Sequence, residues 1–336
     1  MSANDTAPAA GSLDELVAPY HAFAEAQRFA GRGPETLYAP IRYALEVRGK
    51  SVRPTLLLLA HALGGEPPTH ALPAAFAVEL FHNFTLVHDD IMDAAELRRG
   101  RPAVYRAYGT PGALLAGDAM LIHTYGLLLE HYPAAEAYDL LAEFQPMAVA
   151  LCEGQQRDMD MEAGAEASYA DYLAMIHGKT GVLITAALAM GARLAGLPPP
   201  AVALIRRAGD LAGRAFQIQD DLLDTFRTSA VTGKGDHGDI VRGKQSAPFM
   251  KALELADEGR ARLLREVYAL DDVEARRARV PEVLEVYRAL EVEEALAKEV
   301  ALLSLEASGL LREAGGEPSA RERLVAFTEA LARRGS

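Results

Sequence analysis

The residues best equipped for chemistry are two copies of one acidic signature, Asp89-Asp90-Ile91-Met92-Asp93 and Asp220-Asp221-Leu222-Leu223-Asp224. Each follows an apolar run with helical character, Phe84-Thr85-Leu86-Val87-His88 before the first and Ala215-Phe216-Gln217-Ile218-Gln219 before the second. At about 3.6 residues per turn, positions i and i+4 project from nearly one helix face. Asp89 pairs with Asp93 in this way, and Asp220 with Asp224. A carboxylate on an apolar face needs neutralising, and two such faces meeting in a helical bundle would hold hard divalent cations through oxygen. An isolated acidic doublet is ordinarily a solvated feature; two matching copies, each flanked by hydrophobic residues, point to a metal site.

Cationic residues stand where bound cations and carboxylates would want an anionic partner. Lys50 and Arg53 lie in Arg48-Gly49-Lys50-Ser51-Val52-Arg53-Pro54, and Arg98 and Arg99 follow the first acidic motif directly. Lys179 precedes Thr180 at an expected helix start, and Lys234 and Lys244 lie in the polar stretch after the second motif. Each alone reads as a solvated surface charge. Together with the carboxylates they suit a highly charged phosphate ester, with cations bridging carboxylate to phosphate oxygen and Arg and Lys neutralising the remainder.

The elements that must position these groups are helices. Period-3.6 patterning runs through almost the whole chain and no alternating strand stands out. The pattern predicts helices near 12–30, 35–47, 51–63, 71–94, 112–131, 135–161, 168–176, 179–195, 199–226, 246–256, 258–268, 283–307 and 319–333. Ser12, Ser168 and Pro198-Pro199-Pro200 mark several starts. Residues 95–111 and 227–245, polar segments directly after the two acidic motifs, resist helix formation and read as lids. The chain has 336 residues without a linker, so the expectation is an all-α fold, a single large bundle of 12–13 helices around a central apolar cavity. That domain would span 12–336, after a disordered polar tail at 1–11 that has neither the basic nor the apolar region of a signal peptide.

Composition narrows the function. Half the residues are apolar, and there is no Trp. A net charge of −13 without a basic stripe argues against a nucleic-acid partner. The single cysteine, Cys152, allows no internal disulfide framework and fits a reducing, cytoplasmic setting; in its helix it reads as a small buried hydrophobe. The longest apolar run, Gly181–Ala192, is too short to span a bilayer and reads as a buried core helix, with no transmembrane segment expected.

At this point the chain resembles the trans-polyprenyl diphosphate synthases, closest to the short-chain geranylgeranyl and farnesyl diphosphate synthases. The similarity runs from about residue 45 to 250 in the family's order. It rests on Gly49-Lys50-x-x-Arg53-Pro54, Glu79-x-x-His82, the first motif with Arg98-Arg99-Gly100, and Gly154-Gln155-x-x-Asp158. It continues through Lys179-Thr180, Phe216-Gln217 with the second motif, Gly233-Lys234 and Gly243-Lys244. Two departures are mild: Arg48-Gly49-Lys50-Ser51 replaces the family's Gly-Gly-Lys-Arg, and Gln245-Ser246 follows the second lysine.

The resemblance implies a head-to-tail prenyltransferase that joins an allylic diphosphate (dimethylallyl, geranyl or farnesyl) to isopentenyl diphosphate. It implies Mg2+, three ions per active site, with Mn2+ able to substitute. Asp89, Asp93 and Asp220 would ligate the ions, with Asp90, Asp221 and Asp224 as further or water-mediated ligands. Arg98, Lys179 and Lys234 would contact the allylic diphosphate, and Lys50, Arg53, His82 and Arg99 the diphosphate of isopentenyl diphosphate. Thr180 and Lys244 join the substrate-binding set, and Gln217 either orients near the reacting cation or packs in the core. His88, Tyr105 and His177 read as ordinary core or surface residues, and Asp118 as a helix-to-helix hydrogen-bonding group. Phe84 and Thr85, just before the first motif, would set product length; an aromatic only at the earlier place favours the twenty-carbon product over farnesyl or longer chains. The family further implies a homodimer packed through helices near the first motif, here 112–131. A terpene cyclase, a head-to-head synthase and a catalytically silent partner subunit are the competing readings. The paired Lys50 and Arg53 and the six retained aspartates stand against them.

Overall fold

The computed structural model describes residues 13–46, 49–164, 166–227 and 237–333, and these are overwhelmingly α-helical. Lys234 and the expected 1–11 tail lie outside the described residues. The chain divides into two compact units, Met1–Gln145 with Ala186–Ala203 and Ala314–Leu324, and Pro146–Thr185 with Leu204–Glu313 and Val325–Ser336.

In the first unit, α1 (Leu13–Ala26), α2 (Glu35–Glu46), α3 (Val52–His61), α4 (Leu72–Met92), α5 (Val104–Tyr108) and α6 (Thr110–Glu130) precede the start of α7 (Ala134–Glu162). The centre is α4, which packs against α1, α3 and α6. Its N-terminal half, Leu72 to Phe81, is buried on every face, as expected of a helix that is apolar nearly all round. Polar residues enter from Glu79 onward, and the first acidic motif lies at the C-terminal end.

Residues 95–111 are more structured than their polarity predicts. Leu97–Arg98 (β1) pairs antiparallel with Arg101–Pro102 (β2), α5 follows, and α6 already begins at Thr110. The connecting pair Arg99-Gly100 has φ of 53° and 76°, the double positive φ of a tight two-residue hairpin turn. A ribbon two residues long offers too few positions for an alternating pattern, which is why the sequence did not reveal it.

The second unit contains the remainder of α7, α8 (Tyr169–Ile176), the first turn of α9 (Val182–Leu194) and most of α10 (Pro199–Phe226). After these come α11 (Gly238–Arg242), α12 (Ala247–Leu255), α13 (Glu258–Tyr268), α14 (Val273–Ala278), α15 (Val280–Ala289) and α16 (Val292–Glu313), with the end of α17 (Pro318–Ala332). Tyr172, Ile218, Leu264, Val283, Tyr287 and Leu296 lie in its core. The single helix expected over 283–307 is two, parted at Leu290-Glu291, where Glu291 takes φ of 53°. The gap expected before 179 is instead a π turn, His177–Gly181, that joins α8 to α9 without a break.

One expectation about exposure is corrected, and one about a buried core helix is met. Cys152 is exposed, because its position on α7 faces outward rather than into the core. With the π turn included, the continuous helix Tyr169–Leu194 reaches 26 residues, and it and the 21-residue Thr110–Glu130 are long and apolar enough to cross a membrane. Two-thirds of the most apolar window of Tyr169–Leu194 is buried within the protein, which is how the core helix of a globular fold meets the same criterion. In Thr110–Glu130 only a third of that window is buried.

Candidate active site

In the first unit the motif occupies the last turn of α4. The helix ends at Met92, and the Asp93 N–H closes the turn on the Asp89 carbonyl at 2.8 Å. Asp89 is half-buried and Asp93 exposed, one turn apart along the same face. Asp90 points the other way: it is 1% exposed and takes hydrogen bonds from Arg98, from Nε at 2.9 Å and also from Nη2. The hairpin therefore folds Arg98 back onto the motif, with Nη2 also 4.0 Å from Asp89. Burial by itself would lower the Arg98 guanidinium, but Asp90, Asp89 and Asp93 together hold it above its ordinary value.

Beside this lies a basic cluster. Arg53 Nη1 is 3.1 Å from His82 Nε2. A guanidinium only donates, so His82 Nε2 accepts and its proton resides on Nδ1. The imidazole is neutral, held well below its usual value by burial and then by Arg53, Arg99 and Arg98. Burial also lowers Arg53 to about 10, partly offset by the Glu79 carboxylate and reinforced by Arg99. Glu79 itself is raised by burial, against the pull of Arg53 and Arg99. Gly49 admits Arg99 to the group: a Cβ there would meet Arg99 Nη2 at 2.6 Å. Arg53 Nε is buried and has no hydrogen-bond partner among the described residues. Two guanidiniums set against one buried carboxylate leave net positive charge, with a donor still to be satisfied, which suits a phosphate. Lys50 is exposed in the loop preceding α3.

Away from the motif, α4 carries an aromatic column. Phe84 packs on His88 (4.9 Å between ring centres) and on Phe81 (5.3 Å). Phe81 meets Phe144 edge-on at 5.0 Å, and Phe144 meets Tyr125 at 5.2 Å. Thr85 is half-buried, its hydroxyl turned to the His82 carbonyl at 2.8 Å. His88 contacts Leu114 O at 3.2 Å and Asp118 at 3.9 Å, so both join α4 to α6.

The second unit repeats the division of labour among its aspartates. Asp220 is exposed and Asp224 half-buried, with Arg242 at 3.7 Å from Asp224. Asp221 is buried and accepts from the Tyr172 hydroxyl (2.7 Å), the Ala247 N–H (2.8 Å) and the Gln217 amide (2.9 Å). Burial raises its carboxyl to about 6, against the pull of Lys244. Burial alone would pull the Lys244 ammonium down, but Asp221, Asp239 and Asp158 together hold it above the ordinary lysine value.

Gln217 also accepts the Thr180 hydroxyl (2.9 Å), linking Lys179-Thr180 to the second motif. Lys179 is paired with Asp158, which is 5% exposed. Asp158 was singled out only as part of the Gly154-Gln155-x-x-Asp158 match, without a contact assigned to it, and Tyr172 and Asp239 were missed. Nothing distinguishes a tyrosine on an apolar helix face from core filling until its hydroxyl is seen on a carboxylate. Asp239 does announce itself as an acid beside lysines in the polar segment.

The donor sets fit Mg2+. Each motif offers a pair of carboxylates one turn apart and no nitrogen or sulfur ligand. Magnesium takes one or two carboxylates and completes its oxygen shell with phosphate and water. Among the described residues no three His, Cys, Asp or Glu side chains converge into a closed protein cage, and such openness suits an ion shared with a phosphorylated substrate.

Comparison with known proteins agrees. The sequence profile of the polyprenyl synthetase family matches residues 34–287. A short chain isoprenyl diphosphate synthase of Methanothermobacter thermautotrophicus is 36% identical over 296 residues, covering 88% of this chain and 90% of that protein. A geranylgeranyl diphosphate synthase of Methanosarcina mazei is 40% identical over 225 residues, 66% of this chain and 68% of its own length. The crystal structure of a geranylgeranyl pyrophosphate synthase superposes with a TM-score of 0.90 at 35% identity, covering 97% of this chain and all of that one.

Proposed function

The chain belongs to the polyprenyl synthetase family and is a short-chain trans-prenyltransferase, and on that premise we propose that it extends an allylic diphosphate with isopentenyl diphosphate to geranylgeranyl diphosphate, using Mg2+. The reaction breaks the allylic C1–O bond, releasing diphosphate. It joins that carbon to C4 of isopentenyl diphosphate and discards a proton from C2. The barrier falls when the charge on the departing diphosphate is stabilised in advance. Bound Mg2+, held by Asp89, Asp93 and Asp220 with Asp90, Asp221 and Asp224 in support, would supply Lewis-acid stabilisation of that charge. On the same reading Arg98, Lys179 and Lys234 would add positive charge for the same group.

Arg53, Arg99, His82 and Lys50 grip the second diphosphate. Neutral His82 contributes its remaining N–H without adding charge, and the unsatisfied Arg53 Nε marks where a phosphate oxygen would be welcome. Among the described residues of these motifs no side chain is a strong base, and on this reading the proton goes to the departed diphosphate. The apolar wall of Phe84 and Phe81 keeps water from the reacting carbon.

The observation that carries the product assignment is the aromatic column: small Thr85 leaves space beside the motif, while Phe84, backed by buried Phe81 and Phe144, limits its depth. Incubation of the enzyme with farnesyl diphosphate, radiolabelled isopentenyl diphosphate and Mg2+, followed by chromatography, should give a single C20 product, and EDTA should abolish it. Farnesyl diphosphate left unextended, or chains of C30 and above, would refute the assignment. We also assign a homodimer formed through α6, and a reducing, cytoplasmic setting that suits the exposed thiol of Cys152.

A further inference from the structure

The five residues of the π turn His177–Gly181 each have an anchor on α7 or α10. The His177 ring meets Asp210 through Nδ1 at 2.5 Å. A carboxylate only accepts, so Nδ1 carries the proton. Gly178 lies backbone to backbone with Gly154; a Cβ on Gly154 would come within 2.3 Å of the Lys179 nitrogen. Lys179 pairs with Asp158, and Thr180 with Gln217. At Gly181 the neighbour is Gly213, where a Cβ would lie 2.6 Å from the Gly181 Cα.

The anchors are ordered. Gly154 and Asp158 are one turn apart on α7. Asp210, Gly213 and Gln217 follow at i, i+3 and i+7 on α10, and the same face continues to Asp221 and Asp224. A π turn wedges one extra residue into a helix and persists where its surroundings enforce it. Relaxation into regular α register would swing Lys179 and Thr180 by one residue, about 100° around the axis. The glycine contacts set how close the backbones come but have no directional preference. His177–Asp210 is the directional bond at the start of the turn. Asp210 is itself braced by Arg214 at 2.9 Å. Burial alone would raise the Asp210 carboxyl, but the His177 hydrogen bond and Arg214 hold it below its usual range.

We infer that His177 and Asp210 are positioning residues for the allylic substrate: their bond locks the π turn and so fixes Lys179 and Thr180 against the face of α10 that bears the second aspartate motif. The inference rests on the reading that Lys179 contacts the allylic diphosphate. Neither residue touches substrate in this scheme, and the bond lies outside every motif that identified the site.

Steady-state kinetics on the full-length enzyme, varying each substrate in turn, provide the test. His177→Ala and Asp210→Ala should each lower kcat/KM for farnesyl diphosphate by about 10- to 100-fold, the cost of a small misplacement of a charged contact. KM for isopentenyl diphosphate should stay within about twofold, a split that general loosening would not produce. The double variant should be no worse than either single one, because the two act as a unit. His177→Asn, whose amide nitrogen takes the place of Nδ1, should recover most of the loss, and because it keeps the bond it remains informative if the alanine variants fold poorly. Arg207→Ala, which removes the exposed Arg207–Glu306 pair from the same helix, should behave as wild type. An unchanged allylic kcat/KM, equal effects on both substrates, or an Asn variant as impaired as Ala would each overturn the inference. Absence of turnover by the wild-type enzyme would instead overturn the functional reading, and the inference with it.

Discussion

Asp221 accepts three hydrogen bonds from protein donors and neighbours the half-buried Lys244, whereas Asp220, one residue earlier, is exposed. The first motif makes the same division, with Asp90 turned inward onto Arg98 and Asp89 and Asp93 along the outer face. Adjacent residues on a helix point about 100° apart, so a doublet naturally gives one carboxylate to the metal face and one to the scaffold. The two substitutions should therefore fail differently. Asp220→Ala should lower turnover by about 10²–10³-fold, as for loss of one charge-stabilising group, with a melting temperature close to wild type. Asp221→Ala leaves the Tyr172 hydroxyl and the Ala247 N–H without their acceptor and takes one of three carboxylates from around Lys244, and should cost about 1–3 kcal/mol of stability, the penalty for stranding buried donors. Thermal melts of the two variants without added metal check this; equal melting temperatures would contradict the assignment of Asp221 to the scaffold.

At the scale of elements, α4 carries both the metal-facing aspartates and the wall that limits the product. Removing Phe84 exposes Phe81, which lies one turn deeper, is 1% exposed and is wedged edge-on against Phe144. Phe84→Ala should accordingly lengthen the product by only about one isoprene unit, since one helical turn advances about 5.4 Å. Phe84→Ala combined with Phe81→Ala should release longer chains. Chromatography of products from the single and double variants distinguishes this from a floor built on α6, for which neither would change the product. The helix carrying this wall was legible in the sequence because i, i+4 carboxylates and an unbroken apolar run leave few alternatives. The π turn was not: the 3.6-residue pattern continues on both sides of Gly178-Lys179 and merely changes phase, which reads as a helix boundary. Nor was the Arg98–Arg101 hairpin, whose form depends on two positive φ angles, one of them at an arginine rather than at glycine. What escaped the sequence in both places was backbone geometry enforced by tertiary contact, while the residues it positions had already been singled out.

For the molecule as a whole, one apolar feature of the described residues without an intramolecular role is the outer stripe of α6. Leu115, Ile122 and Leu129 are 60%, 69% and 58% exposed and recur every seventh residue, with Leu114 also exposed beside them. A seven-residue apolar repeat is the pattern of a helix that packs lengthwise against another helix. Large apolar side chains in a row on a surface mark an interface, whereas scattered ones need no explanation. The self-complementary way to cover such a stripe is a second copy of the same helix across a two-fold axis. Because the stripe occupies the opposite side of α6 from buried residues such as Ala113, Met120 and Leu127, a charge placed on it should leave the fold intact. Light scattering at micromolar concentration should therefore give about twice the 36.0 kDa chain mass for the wild type. Ile122→Glu should give a folded monomer with an unchanged helical circular dichroism spectrum. The same helix is long and apolar enough to lie in a bilayer, and the two uses diverge in one experiment: a wild-type protein that stays monomeric in buffer and sediments with lipid vesicles would assign the stripe to a membrane and refute the dimer.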